Sequence, residues 1–328
     1  THKDFTRCYP PYGMNLFRSA QAVADADGAG IIDWESVAEA AKASTPPGDL
    51  NLSADEQAGF RADVRDARDR LRAAGGIDFA LPETIEIQHR HHWIDANIET
   101  FRRVVDPLEP SATVLPGVSR TINTGTMAVT LGFLGRNVLG QYDPLLLADG
   151  GHALYFVRPN ILRVASELDV AYPRFRRWIA FHEVAHAAEF GAAPWLPAYL
   201  ETRMQDSVTA ISAGDLDQAT FEELTAAMTA VEGYAELLMD RAFDAEYADL
   251  RAKLDARRGS GGPLKRLLSR LLGLGLKRDQ YERGARFFED VADARGLEAA
   301  SVVWEQPANL PTDAELGEPM GWIDRVDP

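Results

Sequence analysis

The sequence predicts a mainly α-helical protein with a small β element. Apolar residues recur at helical spacing through most of the 328 residues, and capping or breaking residues punctuate those stretches. Only three short segments read as strand.

In order, Phe17 to Ala24 and Asp33 to Ala43 carry helical spacing, with Asp33 as N-cap of the second. Thr45 to Asp49, with Pro46, Pro47 and Gly48, is a loop. Ser53 to Ala74 reads as a long amphipathic helix, capped by Ser53 and stopped by Gly75 and Gly76. Glu83 to Gln88 alternates like a strand, and Trp93 to Val105 returns to helix. Ser119 to Leu139 is apolar and holds Gly125, Gly132 and Gly135, which mark close backbone approach. Leu145 to Leu147 and Ala153 to Val157 flank Asp149-Gly150-Gly151, the pattern of a hairpin. Pro173 opens a helix to about Phe190, ended by Pro194 and Pro197. Further helices are expected at 201–212, 220–244, 245–257, 263–272 and 279–295, with Gly259 to Gly262 as a joint.

Composition narrows the function. The formal net charge is −16, which repels phosphate backbones and anionic lipid, so neither nucleic acid nor membrane is an expected partner. No window supplies the roughly 20 apolar residues that span a bilayer. Cys8 is the only cysteine, which excludes an internal disulfide and a cysteine-built metal cluster. With no signal-peptide core in Thr1 to Tyr9, a cytoplasmic location is expected. Gly273-Leu274-Gly275 lacks the third glycine and the preceding strand of a dinucleotide fingerprint.

The chemistry is carried by His182-Glu183-Val184-Ala185-His186. Residues four apart share one helix face, so His182 and His186 can hold one metal ion. Glu183 is rotated to the flank, where it reaches a water on that ion without ligating it. Zinc lowers the pKa of such a water to about 7, within reach of a carboxylate base. The helix is apolar nearly all round, which implies burial, and buried ionisable groups need partners. A catalytic zinc needs a third ligand and an open position. Glu232, Glu236 and Asp240 sit at successive i, i+4 positions on a later apolar helix; one can ligate while another orients a histidine.

His182 to His186, followed by Glu232-Gly233-Tyr234-Ala235-Glu236, resembles gluzincin metallopeptidases. The resemblance implies a zincin-like, gluzincin-type helical metallohydrolase with Glu232 as third ligand and Glu236 as backup ligand or ligand-orienting carboxylate. Leu131 to Leu134, Val138 to Pro144, Pro159-Asn160, Pro194-Trp195-Leu196, Gln280 to Gly284 and Trp93 to Phe101 are similar to a prokaryotic family of zinc-dependent metalloproteases or hydrolases without an assigned reaction. One branch of it is associated with deazaflavin coenzyme biosynthesis.

The expectation is therefore a zinc hydrolase, a metallopeptidase acting on a peptide or small amide. Zinc is held by His182, His186 and Glu232, Glu183 is the base, and Tyr281 is the oxyanion donor, with His152 and Arg286 as further candidates. The alternative is a non-peptidase binding or maturation factor with structural or vestigial zinc. Residues 1–110 form an N-terminal helical region and 111–328 a zincin-like metal-binding region, packed as one intertwined unit. Ala153 to Val157 either offers an edge strand to an extended peptide or packs on the metal helix. His89, His91 and His92 read as a packing cluster, and 263–272 as a helix packed on the core.

Overall fold

A computed structural model describes residues 15–27, 30–106, 116–143, 152–213, 218–243, 247–259 and 278–328; the side chains of 116–118, 211–213, 218–220, 254–259 and 278–282 are outside that description. Fourteen helices and three strands are named here, in chain order: α1 (Leu16–Ala24), α2 (Trp34–Ala43), α3 (Ala54–Gly75), β1 (Thr84–Gln88), α4 (Arg90–Val105), α5 (Pro116–Asn137), β2 (Gly140–Asp143), β3 (Ala153–Val157), α6 (Arg158–Glu167), α7 (Tyr172–Ala192), α8 (Leu196–Ala213), α9 (Gln218–Ala242), α10 (Ala248–Gly259), α11 (Arg278–Arg295), α12 (Leu297–Ser301), α13 (Asp313–Gly317) and α14 (Pro319–Val326). The fold is the mainly helical one expected, with a single small sheet.

Local chemistry sets the helix ends. Asp33 accepts the backbone N–H groups of Glu35 and Ser36, and Ser53 accepts that of Glu56. Gly76 closes α3 at φ 66°, a left-handed conformation that suits glycine. His89 caps α4, and His91 Nε2 lies 2.7 Å from the Thr45 carbonyl, so this pair works in packing. Gly132 lies against the end of α2, where an added Cβ would sit 3.0 Å from Ser44 Oγ.

The sheet order is β1-β3-β2, with β1 parallel and β2 antiparallel to β3. This corrects the edge-strand option for Ala153 to Val157: β3 is central, and all five of its residues are buried. The expected hairpin partner, Leu145 to Leu147, and its turn lie outside the described residues. The antiparallel partner that is described is Gly140–Asp143.

Two apolar clusters flank β3. The larger joins α3, α7, α9 and α11 with the C-terminal helices and takes Leu154 and Phe156 from β3. The smaller joins α1, α2, α4 and α5 and takes Val157. Within the larger, α7 is fixed on one side by α3, through Arg176–Asp63 and Arg177–Asp66, each 2.6 Å. On another side it packs against α9, and on a third against β2.

Three departures from the expected elements have local causes. Pro197 does not end a helix; it lies in the first turn of α8, where the amide hydrogen that proline lacks has no intrahelical partner to lose. Arg158–Glu167, expected as no element, is helix α6, which continues directly from β3 and buries Ile161, Val164 and Ala165. The short α12, α13 and α14 were likewise unexpected. The segment 263–272 and Cys8 lie outside the described residues. No helix among the described residues is long and apolar enough to cross a membrane.

Candidate metal centre

Helix α7 presents two stripes to two neighbours. At about 100° per residue, His182, His186 and Glu189 fall within a narrow sector, while Glu183, Ala187 and Phe190 fall in the next one. The first stripe faces α9 and the second faces β2.

On the α9 side, His182, His186 and Glu232 each offer one ligand atom, and these atoms lie within 4.8 Å of one another. The two imidazole centroids are 4.7 Å apart, and His182 Nε2 is 3.9 Å from Glu232 Oε2. Tetrahedral zinc with bonds near 2.1 Å spaces its donors about 3.4 Å apart, so this donor set needs only small side-chain shifts to fit the ion. Two imidazoles and one carboxylate are also the ligand chemistry of a catalytic zinc with an open position. Trp178 stacks on His182, with centroids 5.6 Å apart and planes 6° from parallel.

The position of Glu232 is set by a helix crossing. A Cβ on the adjacent Gly233 would lie 2.3 Å from the carbonyl carbon of Gly284 on α11, and one on Gly284 would lie 2.4 Å from the Thr229 oxygen. Only glycine at both positions lets α9 and α11 approach this closely. Of the three candidate acids on α9, Glu232, Glu236 and Asp240, the crossing aims Glu232 at the histidines. Glu236 lies 3.6 Å from Arg251 Nη2, and Asp240 pairs with the same guanidinium.

On the β2 side, Glu183 is 6% exposed and accepts the backbone N–H of Tyr142 at Oε2, 2.9 Å away. A Cβ on Gly140 would lie 2.6 Å from Glu183 Cγ, so glycine at the start of β2 makes room for this side chain. Burial pushes the Glu183 carboxyl up to about 7; His186 and the Tyr142 amide pull it down, and Glu232 adds to the rise. For His186, burial opposes protonation, but the bond to Glu189 and the charges of Glu189, Glu232 and Glu183 prevail and raise it to about 9.

Glu189 was not expected from sequence. It has no exposed surface, and its Oε2 lies 2.9 Å from His186 Nδ1. Burial pushes its carboxyl up to about 7, against the pull of His186 and the Ala235 amide. The signal that finds it is spacing: it stands three residues after His186, an acid in the run Ala187-Ala188-Glu189-Phe190, on the His182 and His186 face.

The remaining candidates separate. His152 is exposed just before β3 and hydrogen-bonds the Tyr142 hydroxyl, and Tyr142 packs on Phe190. Burial raises the Tyr142 phenol. Arg286 is exposed on α11. Tyr281 falls in α11, but its side chain is outside the described residues.

A family model described as zincin-like metallopeptidase matches residues 32–218 and 203–323. The chain belongs to this zincin-like family. A crystal structure from Chloroflexus aurantiacus, described as "a putative hydrolase with a novel fold", is 30% identical to this zincin-like chain with a TM-score of 0.71. The match covers 96% of this chain and 99% of that one, so the family resemblance extends over both apolar clusters. Among curated proteins, none matches. Membership of a zincin-like family implies a bound metal, typically zinc, and the His182, His186 and Glu232 donors are chemically suited to it.

Proposed function

We propose that the protein is a zinc-dependent hydrolase that cleaves amide bonds, a metallopeptidase of gluzincin type. The observation that carries this is the convergence of His182, His186 and Glu232 within 4.8 Å, with Glu183 buried on the adjoining stripe of α7. His182, His186 and Glu232 hold the ion. When bound, zinc supplies Lewis acidity that brings a coordinated water to a pKa near 7 and polarises a carbonyl.

Glu183 performs the proton transfers. Its Oε2 is fixed by the Tyr142 amide, so Oε1 is the atom that receives a proton from the attacking water. It then returns that proton to the departing amine. Burial keeps its affinity for a proton close to neutrality, where a group both accepts and releases one readily. Gly140 and Tyr142 hold the carboxylate in place from the strand side, which spares the reaction the cost of orienting it.

The test is Glu183→Gln. The variant is expected to retain one zinc per chain by elemental analysis and to lose about 10²- to 10⁴-fold in turnover. Turnover is read on a proteome-derived peptide library by mass spectrometry. Cleavage by the variant at the wild-type rate sinks the assignment of the base. Failure of the wild-type protein to retain zinc sinks the metal reading.

A further inference from the structure

We propose that Glu189 is a positioning residue for the metal centre: it holds the Nδ1 edge of His186, so that Nε2 is the atom this ring presents to zinc. The proposal rests on the zinc reading above and adds a requirement to it.

Glu189 and His186 are one turn apart on the same helix and bonded at 2.9 Å. Such a bond joins no second element to α7. As a one-turn pair it adds little to the fold, whereas burying a carboxylate is costly. Glu189 has no exposed surface, and Oε1 has no partner of hydrogen-bond geometry among the described residues. The arginine–carboxylate contacts of α7 differ: Arg176–Asp63 and Arg177–Asp66 each tie it to α3. A buried acid whose one close side-chain partner is a ring nitrogen of a ligand candidate, with only the backbone amide of Ala235 acting on it from α9, is suited to orienting that ring.

An imidazole ligates through one nitrogen, and the partner of the other selects which. With Nδ1 engaged by Glu189, Nε2 remains on the side of His182 and Glu232, whose ligand atoms gather with that of His186 within 4.8 Å. The carboxylate also makes the ring a stronger donor. Glu236, which the sequence pattern offered for this task, lies beside Arg251 instead.

The experiment compares the wild-type chain with Glu189→Gln and Glu189→Leu. Each is stripped of metal and titrated with zinc against a chromophoric chelator, and the metal-free thermal midpoint is recorded alongside. Zinc affinity is expected to fall about 10-fold in Glu189→Gln and toward 100-fold in Glu189→Leu. The metal-free midpoint is expected to hold or rise, since the buried charge is gone. Two outcomes overturn the proposal: affinities unchanged in both variants, or metal-free midpoints that drop together with affinity, because lost structure then accounts for lost metal. If the wild-type chain itself takes up no zinc, the underlying metal reading falls and this proposal with it.

Discussion

The two buried carboxylates of α7 stand six residues apart and meet different neighbours. Both are pushed up to about 7 by burial. Glu183 is held by a backbone amide of β2, a partner that keeps its charge and place through any proton transfer. Glu189 is held by the ring of His186, a partner whose charge changes when a metal binds. The contrast separates two kinds of control. On the proposed reading, the strand side fixes the geometry of the group that titrates, and the α9 side fixes the orientation of the group that ligates.

The largest expected effect comes from cutting the α9 side. His186→Ala removes a ligand and leaves Glu189 buried without its cation. Zinc should be lost, and the metal-free protein should be destabilised by about 3–5 kcal/mol at a pH where Glu189 is ionised. Denaturant unfolding at pH 8 measures this. A variant as stable as the parent would mean that the ring does not hold Glu189 as an anion.

Two glycine substitutions then set the sides against each other. Gly284→Ala forces a Cβ into the Thr229 carbonyl and drives α11 from α9. It should lower stability by about 1–3 kcal/mol and weaken zinc binding, because Gly233 at the same crossing adjoins Glu232. Gly140→Ala presses on Glu183 instead. It should cost a similar amount of stability yet leave zinc affinity intact while activity falls. Equal zinc affinities in the two variants would erase the distinction between the sides.

The smallest effects are pH slopes. His186 is raised to about 9, so zinc uptake at pH 7 must displace its proton. Affinity should tighten from pH 6 to 9, and calorimetry in buffers of different ionisation enthalpy should register the released proton. The stability of the metal-free chain follows from the same shifts. Glu183 and Glu189 hold protons in the folded state up to about pH 7, against an ordinary value of 4.5. Their contribution is complete below pH 4.5 and lost as pH rises through 7. His186 has the same sign, its contribution complete below 6.5 and lost through 9. The metal-free thermal midpoint should therefore fall between pH 5 and 9.

What the sequence reveals of this centre depends on how local each part is. His182, Glu183 and His186 are legible because one helix at fixed pitch decides their geometry. Glu232 was reachable only through a motif, since its approach depends on α9 crossing both α7 and α11. Glu189 obeys the same pitch as the histidines and was legible in principle. Its acidic side chain beside alanines carries no periodic apolar signal, so it passes as a surface residue. The strand β3 was legible as an apolar run, but its pairing was not: Thr84 meets Ala153 across 69 positions, and nothing local fixes that register. Helix α6 shows Pro159 at its start and Ile161, Val164 and Ala165 at helical spacing; its own pattern was sufficient to predict it.

The contact between Glu183 and Tyr142 also bears on solubility. Among the described strands, β2 and β1 are the two edges of the sheet, and an open edge is a template for adding foreign strands. On β2 the Tyr142 amide is already occupied by the carboxylate of Glu183. The residue proposed to move protons thus also occupies an edge amide with which a foreign strand could otherwise pair. Truncation by Glu183→Ala would strip the chemistry and uncap the strand together, confusing lost turnover with aggregation. Glu183→Gln retains a carbonyl oxygen able to accept the Tyr142 N–H, which makes it the better inactive form for capturing a bound substrate.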